Sequence, residues 1–102
     1  MITIINYGLG NINAIYRVYK NLNIPVKIAS NSNELENSDK FILPGVGAFD
    51  YAMDKLHRSG ITETLNRKIL DQNKHILGIC VGMQMLANAS DEGSSPGLGW
   101  VD

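Results

Sequence analysis

Four short apolar runs, separated by segments with helical periodicity, constrain the fold of this chain more than any other feature. The runs occupy residues 2–5, 26–29, 41–43 and 75–79. Each is short enough to be a buried strand, and the residues between them suit helices. Strands that alternate with helices are typical of a parallel sheet with helices on both faces. The sequence therefore predicts a three-layer α/β fold with a mostly parallel sheet.

The helical segments are recognised by the spacing of their apolar residues. The clearest set stands at i, i+3, i+4 and i+7 and consists of Phe49, Ala52, Met53 and Leu56. Further helices are predicted at residues 12–22, 61–69 and 81–88. Asn31 and Glu34 have the spacing of a capping box for one short helical turn. Pro44 and Gly45 are expected to end the third strand.

Size and composition indicate one globular domain over residues 1–102. Hydrophobic residues make up 44% of the chain and charged residues 19%, and the formal net charge is -1. This charge offers no electrostatic attraction for nucleic acid or for an anionic membrane. The sequence has no run of about 18 apolar residues and no signal-peptide pattern at its start. We therefore expect a cytoplasmic protein without nucleic-acid or membrane partners.

The one cysteine, Cys80, is the main candidate for chemistry. It excludes an internal disulfide, and it stands between Gly78 and Gly82 at a predicted strand-to-helix junction. This is the spacing of a nucleophile elbow, where bulky side chains would collide as strand and helix converge. Amides at the start of the helix would favour a thiolate, and the Val81 amide could donate to an oxyanion. The alternative is an inert buried thiol, because free cysteine commonly serves as small apolar filler.

A second glycine-containing turn follows the third strand. Its sequence is Pro44-Gly45-Val46-Gly47, and it should lie at the same edge of the sheet as Cys80, since parallel strands end together. Its glycines would allow the main chain to approach a ligand closely. Taken alone, the segment also fits an ordinary strand-to-helix turn.

These two motifs together resemble the class I glutamine amidotransferases. The elbow segment reads Gly78-Ile79-Cys80-Val81-Gly82-Met83-Gln84. Within that family, three further segments are similar to the glutaminase subunits of imidazole glycerol phosphate synthase: Asn6-Tyr7-Gly8-Leu9-Gly10-Asn11, Ser90-Asp91-Glu92-Gly93 and Gly97-Leu98-Gly99. The resemblance covers nearly the whole chain but only about the amino-terminal half of the family's domain. It implies a flavodoxin-like, incomplete sheet, with residues 1–102 forming the amino-terminal part of a single glutamine amidotransferase domain.

The resemblance also implies a reaction and the residues that perform it. Cys80 would attack the carboxamide of glutamine, form a glutamyl thioester and release ammonia. The oxyanion hole would lie at Val46, Gly47 and Val81. Gly45 and Gln84 would help to hold the glutamine. The resemblance implies no cofactor, and the sequence shows no metal-ligand spacing.

The implied partner is a (β/α)₈-barrel synthase subunit. The two subunits would form a heterodimeric lyase of histidine biosynthesis, with Asn11 in the loop that faces the barrel. One alternative is a paralogous amidotransferase that feeds another barrel synthase, such as one for surface sugars. Another is a catalytically inactive flavodoxin-like module that only binds a partner.

Family members activate their cysteine with a histidine and a glutamate from the later half of the domain. The histidines of this chain are His57 and His75. His75 precedes Cys80 by five strand residues, or about 16 Å, which is too far for a general base. We therefore predict that this chain alone hydrolyses glutamine negligibly. A sheet with missing strands would also leave apolar surface exposed, so we expect self-association.

Overall fold

A computed structural model describes residues 1–87 and 96–100. Within them, four parallel strands form one sheet in the order β2-β1-β3-β4. The strands are β1 (Ile2–Ile5), β2 (Val26–Ala29), β3 (Lys40–Gly45) and β4 (His75–Cys80). The helices are α1 (Ile12–Asn21), α2 (Ser32–Leu35), α3 (Phe49–Arg58), α4 (Thr62–Asn66), a π-helical turn (Arg67–Asp71) and α5 (Val81–Met85). The predicted α/β fold is confirmed.

Helices lie on both faces of the sheet. The larger core, which includes Ile5 and Leu43, packs against α2, α3, α4 and α5. The smaller core is centred on Ile4 and Ile42 and packs against α1. Consecutive strand residues thus point into different cores, because strand side chains alternate between faces. Burial on both faces explains why the two central strands, β1 and β3, are mostly apolar.

The helical spacing predicted from the sequence is largely confirmed. All four residues of the i, i+3, i+4, i+7 set in α3 are buried. Asn31 caps α2, since its side chain accepts a hydrogen bond from the Glu34 amide at 3.0 Å. The apolar stripe beyond α3 falls on α4 and the π-helical turn, with Ile61 and Leu65 fully buried. Among the described residues, no helix has the length and apolar character needed to cross a membrane.

β3 corrects the prediction that Pro44 and Gly45 end the third strand. The strand continues through both residues, which pair with Ile79 and Cys80 of β4. Pairing between β1 and β3 stops at Ile42, so the end of β3 has a paired neighbour on one side only. A strand with one paired side can accommodate a proline, which has no N–H to donate.

The last helix is shorter than predicted. α5 ends at Met85, whereas the sequence pattern extends it to position 88, which lies outside the described residues. Residues 96–100 return to this helix end. The Leu98 amide donates to the Met85 carbonyl and the Trp100 amide to the Leu86 carbonyl, both at 2.8 Å. The Trp100 indole N–H also donates to the Asn66 side chain at 2.7 Å. The two main-chain bonds satisfy carbonyl groups that the end of α5 otherwise leaves unpaired.

Candidate active site

Cys80 is the residue at which β4 turns into α5. Its backbone has φ 57° and ψ -126°, and its side chain is exposed. A positive φ is uncommon for a residue with a side chain and costs conformational energy, which the surrounding structure must offset. The chain therefore bends sharply at the cysteine and presents its sulfur to solvent. The spacing of the flanking glycines predicts this position.

The flanking glycines are required because backbone approaches backbone on both sides of the bend. A Cβ atom on Gly82 would lie 2.0 Å from the Leu43 carbonyl oxygen. A Cβ atom on Gly78 would lie 2.6 Å from the Cα of Met83. Both distances are far below van der Waals contact, so neither position admits a side chain. α5 is thereby held directly against β3 and β4.

Strand pairing brings the Pro44-Gly45-Val46-Gly47 loop beside Cys80. Gly45 is the register partner of Cys80 in the β3–β4 pair. A Cβ atom on Gly45 would lie 2.5 Å from Val81 Cγ1 and 3.0 Å from the Gly82 nitrogen. The loop and the elbow are therefore in close contact at Gly45. This buried position contributes main-chain groups to the site and no side chain.

The next loop residues are open to solvent. Val46 is 51% exposed. Gly47 has φ 85°, and no heavy atom lies within 4 Å of where its Cβ would be. That backbone conformation favours glycine, and the space around it leaves the 46–47 peptide accessible to a ligand.

The remaining predicted site residues lie at the same edge of the sheet. Val81 begins α5, where its buried side chain packs against Gly45. Gln84 lies one helical turn beyond Cys80 and is partly buried. Asn11 is exposed and caps α1, since its Oδ1 accepts a hydrogen bond from the Ala14 amide at 3.3 Å. Its side chain thus has a local structural function at the place predicted for a partner contact.

Tyr7 is a residue at this edge that the sequence analysis missed. It is 5% exposed, and its hydroxyl donates a 2.6 Å hydrogen bond to the Pro44 carbonyl. Burial raises the pKa of Tyr7 to about 12, so the hydroxyl remains a donor at neutral pH. The available signal was a tyrosine two residues after a buried strand: such a tyrosine is placed to be buried, and a buried phenol requires a hydrogen-bond partner.

The two histidines lie away from the candidate nucleophile. His75 is the first residue of β4 and Cys80 is the last, so the strand length separates them. His57 lies near the end of α3, is exposed, and has its Nδ1 3.0 Å from the Thr62 hydroxyl. Among residues 1–87 and 96–100, no group of three or more His, Cys, Asp and Glu side chains could hold a metal ion. The site therefore combines an exposed thiol with the adjacent main chain at Gly45, and neither histidine lies near the thiol.

Comparison with known proteins shows similarity over almost the whole chain. The family model described as "Glutamine amidotransferase class-I" matches residues 3–93. A relative from Bdellovibrio bacteriovorus, "Imidazole glycerol phosphate synthase subunit HisH", is 57% identical over 101 residues, which cover 99% of this chain and 50% of that protein. The subunit HisH of Leptospira interrogans is 46% identical with the same coverage. HisH 2 of Pseudomonas aeruginosa is 41% identical over 100% of this chain and 50% of its own length.

A solved structure agrees with the fold. The crystal structure described as a glutamine amidotransferase superposes with a TM-score of 0.77, at 23% identity, over 96% of this chain and 51% of that one. At this identity the likeness concerns the fold alone. The chain spans about half the length of the curated relatives it matches.

Proposed function

Because this chain belongs to the class I glutamine amidotransferase family, we propose that it provides the nucleophile of the glutaminase subunit of imidazole glycerol phosphate synthase. The observation that carries the proposal is the conformation of Cys80. An exposed thiol on a bend with positive φ, paired in register with Gly45, suits attack on a carbonyl carbon.

The proposed reaction is acyl transfer to sulfur. The Cys80 thiolate adds to the side-chain carboxamide carbon of glutamine, and the carbonyl electron pair moves onto oxygen. The Val81 amide and the Val46–Gly47 peptide donate to that oxyanion, while Gly45 and Gln84 hold the substrate. The tetrahedral intermediate then expels its nitrogen, which takes up a proton and leaves as ammonia. Water hydrolyses the remaining glutamyl thioester to glutamate and frees the thiol.

The proposed destination of the ammonia is a (β/α)₈-barrel synthase subunit in a cytoplasmic heterodimer of histidine biosynthesis. Ammonia is mostly protonated at neutral pH and is then not nucleophilic, so a protected route between subunits is chemically useful. Asn11 is exposed at the same sheet edge as Cys80, which supports its proposed place at that interface.

Turnover of glutamine by this chain alone should be negligible. Expulsion of ammonia requires a proton donor within about 3 Å or one water molecule, and His57 and His75 lie elsewhere in the fold. The measurement is ammonia release from glutamine, with the barrel subunit present. Turnover comparable to that of an intact glutaminase would contradict this prediction.

The nucleophile itself is tested with an acyl donor that needs no proton donor. In the γ-p-nitrophenyl ester of glutamate the leaving group is p-nitrophenolate, a weak base that departs without protonation, so acylation of Cys80 releases a burst of coloured p-nitrophenolate. We expect a burst of one equivalent, and none from Cys80→Ser. The matched control is the β-p-nitrophenyl ester of aspartate, which is one methylene shorter. Equal acylation rates with the two compounds would show that the chain has no glutamine site and would overturn the proposal.

A further inference from the structure

The Tyr7 hydroxyl lies where three elements of the fold meet. Tyr7 follows β1, and its hydroxyl donates to the carbonyl of Pro44 in β3. The same oxygen lies 3.5 Å from the sulfur of Met85 in α5. One buried hydroxyl thus contacts both the strand that leads into the candidate oxyanion loop and the helix that follows the candidate nucleophile.

No free space separates this hydroxyl from the loop. A Cβ atom on Gly45 would lie 2.8 Å from the Tyr7 oxygen and 2.5 Å from Val81 Cγ1. The backbone at Gly45 is therefore confined between the tyrosine and the start of α5. Since Gly45 is also the register partner of Cys80, its position relates the loop to the sulfur.

The hydrogen bond between Tyr7 and Pro44 lies just beyond the point where the pairing of β1 with β3 stops. The last paired residues are Ile4 and Ile42, two positions before Pro44. Pro44 has no N–H, so on the β1 side, where the ladder has ended, its backbone can be hydrogen-bonded only through its carbonyl. Within the described part of the chain, Tyr7 provides a link between the β1 end and the β3 end beyond the ladder.

The loop beyond Gly45 has little support of its own. Val46 is half exposed, and the space around Gly47 is open. The direction in which their peptide points therefore depends on how firmly residues 44 and 45 are held. A small movement at this anchor would displace donors that must lie about 3 Å from a developing oxyanion.

We propose that Tyr7 is a positioning residue for acyl transfer: its hydroxyl anchors the Pro44 carbonyl and so aligns the 46–47 peptide with the oxyanion formed at Cys80. The inference rests on the proposed function and adds to it a residue that touches no substrate. A positioning role differs from simple filling of the core in a way that can be measured. Loss of the Tyr7 hydroxyl should slow carbonyl addition by the Cys80 thiol and should leave its other reactions unchanged.

The test compares two reactions of the same sulfur in the Tyr7→Phe variant, which loses only one oxygen atom. Acylation by the γ-p-nitrophenyl ester of glutamate passes through an oxyanion, whereas alkylation by iodoacetamide does not. We expect acylation to slow about tenfold, less than the loss of an oxyanion donor itself, with alkylation unchanged. Tyr19→Phe, at a partly buried tyrosine of α1, is the matched control and should alter neither rate.

A second variant tests the hydrogen bond directly. A 4-aminophenylalanine in place of Tyr7 retains an N–H donor at the same position and should restore most of the acylation rate. Unchanged acylation in Tyr7→Phe, an equal fall in both reactions, or loss of folding in that variant would each overturn the inference. Failure of the unaltered chain to prefer the γ-glutamyl compound would instead contradict the proposed function, so the two failures are distinguishable.

Discussion

Glycines without room for a side chain define the candidate site more than its polar residues do. Gly45, Gly78 and Gly82 each stand where a Cβ atom would meet neighbouring atoms at 2.0–2.6 Å. Because these three residues have no side chains, β3, β4 and α5 can converge beside Cys80. The position of the thiol is thus a consequence of steric exclusion around it.

Replacement of Gly82 by alanine should destabilise the chain. Alanine is favoured over glycine by about 1 kcal/mol in a helix interior. At Gly82, however, the new Cβ would lie 2.0 Å from the carbonyl oxygen of Leu43, and backbone cannot move aside as a flexible side chain can. We expect a net loss of roughly 2–4 kcal/mol in the free energy of unfolding, measured by urea titration.

Gly60→Ala is the control for this substitution. Gly60 has φ 80° and no atom within 4 Å of its Cβ position, so only conformational strain opposes alanine there. That strain is about 1–2 kcal/mol. If Gly82→Ala proved no more destabilising than Gly60→Ala, the result would contradict the close approach of α5 to β3.

The buried phenol of Tyr7 predicts a specific dependence of stability on pH. Its pKa is raised by burial from 10.0 to about 12 in the folded chain. The folded state therefore holds this proton more tightly than the unfolded state, and the contribution to stability is complete below pH 10. It is lost as the pH rises towards 12. The free energy of unfolding should fall more steeply over this interval in the wild type than in Tyr7→Phe; parallel curves would contradict the assignment.

The residue that caps helix α1 has one observed role and one proposed role. Asn11 caps the helix through the Ala14 amide, and it is also the proposed contact with the barrel subunit. Capping by an asparagine side chain is worth about 1 kcal/mol. The two roles can be separated because an aspartate retains the capping oxygen while changing the charge presented to a partner.

We expect Asn11→Ala to lower the free energy of unfolding by about 1 kcal/mol and Asn11→Asp to leave it unchanged. Urea titration measures the capping effect, and titration calorimetry with the barrel subunit measures binding. Weaker binding by Asn11→Asp at unchanged stability would support the interface role. Binding by the aspartate variant equal to that of the wild type would leave Asn11 with its capping role alone.

On the face of the sheet that carries α1, the helix covers only part of the surface. α1 contacts β1 and β2, while Leu77 of β4 is 55% exposed. A groove of about 210 Å³ lies between α1 and β4, with Tyr19 and Ile42 among its lining residues. β4 is also the last strand of the sheet in the described structure, so one side of its backbone has no strand neighbour there. Exposed apolar surface beside an unpaired edge favours association.

Self-association of this chain should therefore decrease when Leu77 becomes charged. We expect the weight-average sedimentation coefficient of the wild type to rise with concentration, and that of Leu77→Lys to rise less. Tyr51→Lys is the matched control, because Tyr51 is 54% exposed on α3, on the other side of the sheet. A monomeric wild type with one sharp unfolding transition would contradict the prediction.

Local patterns were sufficient to predict much of this architecture. The apolar runs at Ile2–Ile5 and Val26–Ala29 match β1 and β2 in full, because short runs rich in Ile and Val fit strands that lie between two layers of helices. The spacing of the α3 residues predicted its buried face. The position of Cys80 at a strand-to-helix bend followed from its flanking glycines, because the close approach of strand and helix leaves no room for a Cβ atom at Gly78 or Gly82.

The sequence by itself thus determined the succession of strands and helices and the location of the thiol at a strand-to-helix bend, since both depend on neighbours within a few residues along the chain. Only the tertiary structure decided that β3 continues through Pro44, that Gly45 pairs with Cys80, and that the Tyr7 hydroxyl binds the Pro44 carbonyl. The residues in the last two contacts are 35 and 37 positions apart in the chain. Their contact depends on strand order and register, which arise from the packing of the whole sheet.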